Sequence, residues 1–136
     1  MLSAPPPSWK TNTVSADCLF CKIGSAVIPA PHVYDDERCF AIADIAPKAP
    51  THLLIIPREH FIVAPEVDAA REGLVGHLVA VAAELARQKG LEKTGYRLVF
   101  NSGGDAEQSV LHLHLHLLGG QPLGEMNALT SKTLVK

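Results

Sequence analysis

The reactive side chains of this chain gather in Leu111-His112-Leu113-His114-Leu115-His116-Leu117, where three histidines alternate with leucines. On an extended strand successive side chains point to opposite faces, so the segment places its imidazoles on one face and its leucines on the other. The leucine face demands a core, and the histidine face is expected to look into a cleft or water. With a rise of about 3.3 Å per residue, neighbouring imidazoles are rooted ~7 Å apart and the outer two ~13 Å apart. Zinc–nitrogen bonds are only about 2.0–2.1 Å long, so three rings cannot easily converge on one metal. Two could share one, or a single ring could join ligands from elsewhere. The spacing better suits a division of labour, with a reacting ring at His114 and a neighbour on each side. Imidazole titrates near neutral pH and is a competent nucleophile, so such a row can attack and can carry protons.

Asn101-Ser102-Gly103-Gly104-Asp105-Ala106-Glu107-Gln108-Ser109 leads directly into the row. It lacks the Gly-Lys-Ser/Thr ending of a nucleotide P-loop. Its backbone N–H groups can still turn toward an anion. No Lys or Arg occurs between Asn101 and Lys132. A phosphate beside His114 must therefore be met by N–H groups, the Ser109 hydroxyl and protonated imidazole. That suits one reacting phosphoryl group better than a polyphosphate gripped by cations. Cys18-Leu19-Phe20-Cys21 places two thiols within one helical turn, as half of a zinc site or as a redox pair. Tetrahedral zinc needs two more ligands, for which His52 and one strand histidine are candidates. Asp44 ends an apolar strand and reads either as a turn carboxylate or as an acceptor for a sugar hydroxyl pair. Cys39 reads as a core thiol, His60 as a loop residue, His77 as the boundary of a helix and His32 as exposed.

The elements that must position these groups follow from the pattern. Asp17 can cap a short helix over 18–25, and Pro29 and Pro31 then break regularity. Strands are expected at 32–35 and 39–43, joined by Asp35-Asp36-Glu37, and at 53–56, stopped by Pro57. Leu74, Val75, Leu78, Val81, Ala82 and Leu85 form one stripe of a long helix over 65–89, with Pro65 in its first turn and Gly90 at its end. Strands over 96–101 and 110–118 complete the set. Strands, one long helix and more strands are not the alternation of a parallel sheet. The expected class is α+β, an antiparallel sheet with the helix on one face.

A chain of 136 residues suits one domain with a real core, and 47% hydrophobic against 19% charged residues is a globular balance. No apolar run approaches the roughly 18–20 residues that span a bilayer. The formal net charge of −2, with no basic block, argues against nucleic acid as a partner. The first fourteen residues are rich in Pro, Ser and Thr and lack a hydrophobic signal core, so a loose tail and a cytoplasmic protein, small enough to enter the nucleus, are expected. Three cysteines, an odd number, fit a reducing compartment.

His112-x-His114-x-His116 followed by apolar residues resembles the signature of the histidine triad family. Asp17-Cys18-Leu19-Phe20-Cys21-Lys22-Ile23, Ala49-Pro50-Thr51-His52, the segment from Asn101 through Gln108-Ser109-Val110, and Leu118-Gly119-Gly120 resemble its Hint branch, the histidine triad nucleotide-binding proteins. The resemblance implies a five-stranded antiparallel sheet with one long and one short helix over residues 16–126, flanked by tails at 1–15 and 127–136. It implies a homodimer in which two sheets become continuous. The implied activity is hydrolysis at the α-phosphorus of nucleoside phosphoramidates or related purine nucleotide conjugates. Dinucleoside polyphosphate hydrolysis, or a zinc-holding dimeric adaptor that binds nucleotides with little turnover, are the alternatives. By the same resemblance His114 attacks phosphorus and forms a nucleotidyl-histidine, His116 contacts the phosphate, His112 orients the site and Ser109 bonds the phosphate or leaving group. Phe20, Ile23, Asp44, Ile45, Leu53, Asn101, Gln108, Ser109 and Val110 match nucleotide-binding positions, with Asp44 on the ribose. Cys18, Cys21, His52 and His112 match a structural zinc set. The chain departs from the Hint pattern at Ala43, where an aromatic or histidine is common. It departs again after the double glycine, where Gln121-Pro122-Leu123-Gly124-Glu125-Met126 replaces a Trp-Pro-Pro-Gly ending.

Overall fold

In a computed structural model, which describes residues 17–126, the chain forms α1 (Leu19–Gly24), β1 (Tyr34–Asp35), β2 (Cys39–Ala43), β3 (Thr51–Pro57), α2 (Glu72–Gln88), β4 (Tyr96–Phe100) and β5 (Leu115–Gly119). The tails expected at 1–15 and 127–136 lie outside the described residues. The five strands form one antiparallel sheet in the order β1-β2-β3-β5-β4, as expected of the α+β class. β2 and β3 are buried almost throughout because both faces of the sheet are covered.

Register decides which side chain meets which cover. Leu53 pairs with Leu117 and Ile55 with Leu115, and these side chains share a face with Cys39 and Ala41. That face packs against Leu78, Val81, Ala82, Leu85 and Ala86 of α2. Each fully buried Leu or Val contributes about 1.5–3 kcal/mol, so this layer is the main source of stability. The opposite parity, with Leu54 paired to His116 and Phe40 to Ile56, faces α1 and its Phe20, Cys21 and Ile23. The site residues therefore lie on the α1 side of the sheet.

Local chemistry moves several boundaries from their expected places. Cys18, not Asp17, caps α1, its sulfur accepting the Cys21 N–H at 3.4 Å. Gly24 ends α1 against β2 so closely that a Cβ there would stand 2.7 Å from the Phe40 ring. α2 starts at Glu72 because Ala64–Glu66 forms a separate 3-10 turn around Pro65. β5 starts at Leu115 because the His112 N–H bonds the Val110 carbonyl at 2.8 Å, a tight turn that leaves Leu111 exposed. His77 is an anchor rather than a simple boundary residue. Its Nε2 lies 2.5 Å from Asp36 Oδ2 and its Nδ1 3.1 Å from the Arg38 guanidinium, pinning α2 to the turn between β1 and β2. Burial alone would raise the Asp36 carboxyl. Hydrogen bonds from His77, Tyr34 and the N–H groups of Arg38 and Cys39 instead hold it well below the ordinary range. His32 is half-buried and stacks on Phe40, with ring centroids 4.9 Å apart.

Candidate active site

The three histidines do share a face, but it does not look into water. His112 is fully buried, His114 is 5% exposed and His116 is half-buried beneath α1 and its neighbours. Hydrogen bonds fix how each ring is presented. His114 Nδ1 lies 2.7 Å from the His112 carbonyl, so that nitrogen carries the proton and donates it. Nε2 of His114 is left with a free lone pair. The Phe20 ring meets His114 edge-on, with centroids 4.9 Å apart at 86°, and holds the imidazole from the α1 side.

A second chain of bonds orients His116. The Lys48 N–H donates to His52 Nδ1 at 3.1 Å, which places the His52 proton on Nε2. His52 Nε2 then donates to His116 Nδ1 at 2.9 Å, with Asp44 Oδ2 3.4 Å from the same nitrogen. His116 is left with its proton on Nε2, 3.5 Å from the Asn101 side-chain amide, whose oxygen is the group that can accept it. Asp44, His52 and His116 are close enough to share a cation, but the Lys48 bond commits His52 Nε2 to carrying a proton. The arrangement is a hydrogen-bonded chain that orients His116, not a metal cup.

Burial keeps these imidazoles neutral near pH 7. It pushes His116 down to about 4, aided by the neighbouring His114 and His52, and lowers His114 and His52 against the pull of Asp44. Unfolding returns His116 to an ordinary value near 6.5. Between those values the unfolded chain binds more protons than the fold. The contribution is complete above pH 6.5 and is lost as pH falls toward 4. From pH 7.5 to pH 5 this one group should remove about 2 kcal/mol of stability. Urea midpoints at the two pH values measure it, and His116→Gln should flatten the dependence. An unchanged slope in that variant would contradict the assignment.

A separate cluster surrounds the first histidine. Cys18 Sγ and Cys21 Sγ lie 3.2 and 3.6 Å from His112 Nδ1, and His60 Nδ1 lies 3.2 Å from His112 Nδ1 and 3.5 Å from Cys21 Sγ. His60, not His52, therefore stands with the two thiols. His52 belongs to the other end of β3, where it faces His116. Tetrahedral zinc with ordinary bond lengths has nitrogen–nitrogen edges of about 3.3 Å and nitrogen–sulfur edges of about 3.5 Å. The four distances above fit that figure, and all four ligand atoms lie within 4.8 Å of one another. His112 Nε2 donates to the Pro57 carbonyl at 2.7 Å, which turns its Nδ1 lone pair toward the cluster. Burial lowers His112 to about 4 and lowers His60 as well, keeping both in the neutral form that ligates. A cue to His60 existed in the sequence, its place just beyond Pro57, but nothing there showed that this end of β3 meets His112.

The remaining expected residues divide. Phe20 and Asn101 touch the histidine row, and Asp44 reaches it through His52. Ile23, one helical turn beyond Phe20, lines an apolar cleft of about 460 Å³ together with Ile28, Ala30 and His32. Ile45 is fully exposed, Ser109 is exposed and Val110 is half-buried against the α1-side core. Leu53 is not brought to this face; its parity places it under α2. The Gln108 side chain turns inward and staples the loop. Its Oε1 accepts the Gly103 N–H at 2.8 Å and its Nε2 donates to the Ile62 carbonyl at 2.6 Å. Gly103 at φ +91° makes the bend this requires, and Glu107 sits in the left-handed region at φ +60° just before Gln108 and Ser109.

The profile of the HIT domain family matches residues 25–123. The chain is 43% identical over 115 residues to the purine nucleoside phosphoramidase of Escherichia coli K12, an alignment covering 85% of this chain and 97% of that protein. A HIT family hydrolase from Legionella pneumophila superposes with a TM-score of 0.79 at 44% identity, covering 81% of this chain and 98% of that one. A zinc-bound histidine triad family protein from Mycobacterium smegmatis superposes with a TM-score of 0.69 at 27% identity, covering 88% and 98%.

Proposed function

This chain belongs to the HIT domain family and is a hydrolase of it, and from that premise we propose that it cleaves purine nucleoside phosphoramidates or related nucleotide conjugates at the α-phosphorus. The observation that carries the reading is His114, locked through Nδ1 to the His112 carbonyl with Nε2 left as a nucleophile. The similarity to a protein named purine nucleoside phosphoramidase supports the substrate class.

In this reading His114 Nε2 attacks phosphorus, a nitrogen–phosphorus bond to the enzyme forms, and the bond to the leaving amine breaks. The amine needs a proton. The negative charge of the substrate beside His116 opposes burial and raises its proton affinity, so binding itself favours the protonated ring. In the protonated ring Nδ1 also carries hydrogen, so the His52 Nε2–H turns from it to Asp44 Oδ2, 3.4 Å away, and His116 gives the amine its Nε2 proton while keeping the one on Nδ1. Water then attacks phosphorus, returns a proton to His116 and releases His114. The Ser109 hydroxyl and the N–H groups of the 101–109 loop meet the phosphoryl oxygens.

Cys18, Cys21, His60 and His112 would hold zinc of the closed, structural kind. A metal there supplies a crosslink among α1, the chain beyond β3 and the histidine row, remote from the reacting phosphorus. Assembly as a homodimer is part of the same reading. β4 is an edge strand with all five residues half-buried, and Leu74, Val75 and Val79 of α2 are only partly covered. A second copy would cover them and extend the sheet.

Turnover of adenosine 5′-phosphoramidate beside a dinucleoside polyphosphate tests the proposal. Preferential release of AMP and ammonia from the first is expected, from a species with twice the 14.6 kDa chain mass by light scattering. Preference for the polyphosphate would favour the other hydrolase reading, and nucleotide binding with negligible turnover of either would favour the adaptor.

A further inference from the structure

We propose that Arg71 is the positioning residue for His60, a reading that rests on the zinc assignment above and names what builds its fourth ligand. A charged side chain only 2% exposed is costly unless it is fully engaged. Arg71 sits at the head of α2, and three of its contacts fall on the stretch from Glu59 to Glu66. Its Nε donates to Glu59 Oε2 at 3.0 Å, its Nη1 donates to the Glu66 carbonyl at 2.8 Å, and its guanidinium carbon lies 4.4 Å from the centre of the Phe61 ring. Glu59 and Phe61 are the two neighbours of His60.

The chain bends at Arg58 and Glu59 and runs without regular structure through His60 and Phe61. Arg71 holds Glu59 by its carboxylate and Phe61 by its ring, and the residue between them presents its Nδ1 to Cys21 and His112. The Phe61 carbonyl accepts the Leu113 N–H at 2.8 Å, so the same short segment lies alongside the histidine row. A planar guanidinium can pair, donate to a carbonyl and stack at once, whereas a lysine ammonium at that position keeps the charge but not the fork or the stacking plane. Arg71 touches neither substrate nor metal; its effect on the site passes through His60.

Zinc titration of the full, reduced chain, with cobalt as a spectroscopic substitute, tests this. Wild type should bind one zinc ion and give the visible bands of tetrahedral cobalt, and His60→Ala should lose most of both. Arg71→Lys and Glu59→Gln should weaken zinc at least about tenfold and reduce the tetrahedral cobalt bands, while near-ultraviolet circular dichroism shows an intact fold. Glu59→Gln leaves Arg71 and its stacking in place, so it reports even if Arg71→Lys folds poorly. Wild-type affinity and spectrum in the folded variants, with His60→Ala impaired, would overturn the role of Arg71 alone. Failure of wild type to bind zinc, or wild-type binding by His60→Ala, would overturn the zinc assignment and this proposal together.

Discussion

Replacing His114 with alanine should lower kcat/KM for a nucleoside phosphoramidate by at least about 10⁴-fold, the scale on which losing a covalent nucleophile is felt. The other imidazoles cannot take its place. His112 has Nε2 committed to the Pro57 carbonyl and Nδ1 among the thiols, and His116 receives the His52 proton at Nδ1. The ring is buried and packs against Phe20, so its removal should also cost about 1–2 kcal/mol of stability, too little to unfold the chain. His114→Asn retains more of the volume and should be equally inactive. Quenching wild type during turnover should leave one nucleotidyl group on the chain by mass spectrometry, absent from both variants. Hydrolysis near the wild-type rate by either folded variant would remove His114 from the role of nucleophile.

What the sequence could and could not reveal about this site follows from parity and register. Alternation of histidine with leucine is a period-two signal, and it correctly separated the row from the core at Leu113, Leu115 and Leu117. It could not reveal that the row is covered, because the cover is α1, ninety residues away in the chain, delivered by Phe20. Nor could it place the start of β5, since the Leu113 N–H goes to the Phe61 carbonyl, in a distant segment of the chain. Leu53, which the resemblance matched to a nucleotide-binding position, lies on the α2 face, and the pattern could not have shown this. On a strand buried on both faces the apolar pattern does not encode parity, and one residue decides between nucleotide side and core.

His52 and His60 show the same limit from the other direction. They flank β3, one near its start and one just beyond its end. β5 runs antiparallel to β3, so each step back from His116 toward His112 is a step forward from His52 toward His60. Either histidine could meet the thiols until that register is known. Once it is known, His52 falls to the hydrogen-bonded chain behind His116 and His60 to the cysteine cluster, and the two places cannot be exchanged.

Loss of the metal should disturb this protein in the opposite way to loss of His114. Cys18→Ser with Cys21→Ser, or exhaustive chelation of wild type, should lower the melting temperature far more than it slows the chemical step in the molecules that remain folded. The four ligands come from α1, the segment after β3 and the start of the histidine row, three pieces that the metal would tie at one point in addition to the Phe20 ring contacts, the Leu113–Phe61 backbone bond and the Arg58 bond to the Gly24 carbonyl at 2.7 Å. Free zinc at a thousand times its dissociation constant would stabilise such a fold by about 4 kcal/mol. For a domain of this size that corresponds to a fall on the order of 15 °C when the metal is removed. The reacting ring would keep its place, because His114 Nδ1 bonds a backbone carbonyl and its packing partner is Phe20. Calorimetry with and without chelator measures the first effect, and rates taken well below both transitions measure the second. Protein made in zinc-supplemented, reducing medium that carries less than ~0.1 equivalent of zinc with both thiols free would exclude the site. A chemical step slowed as severely as by His114→Ala would mean that the metal serves the reaction and not only the fold.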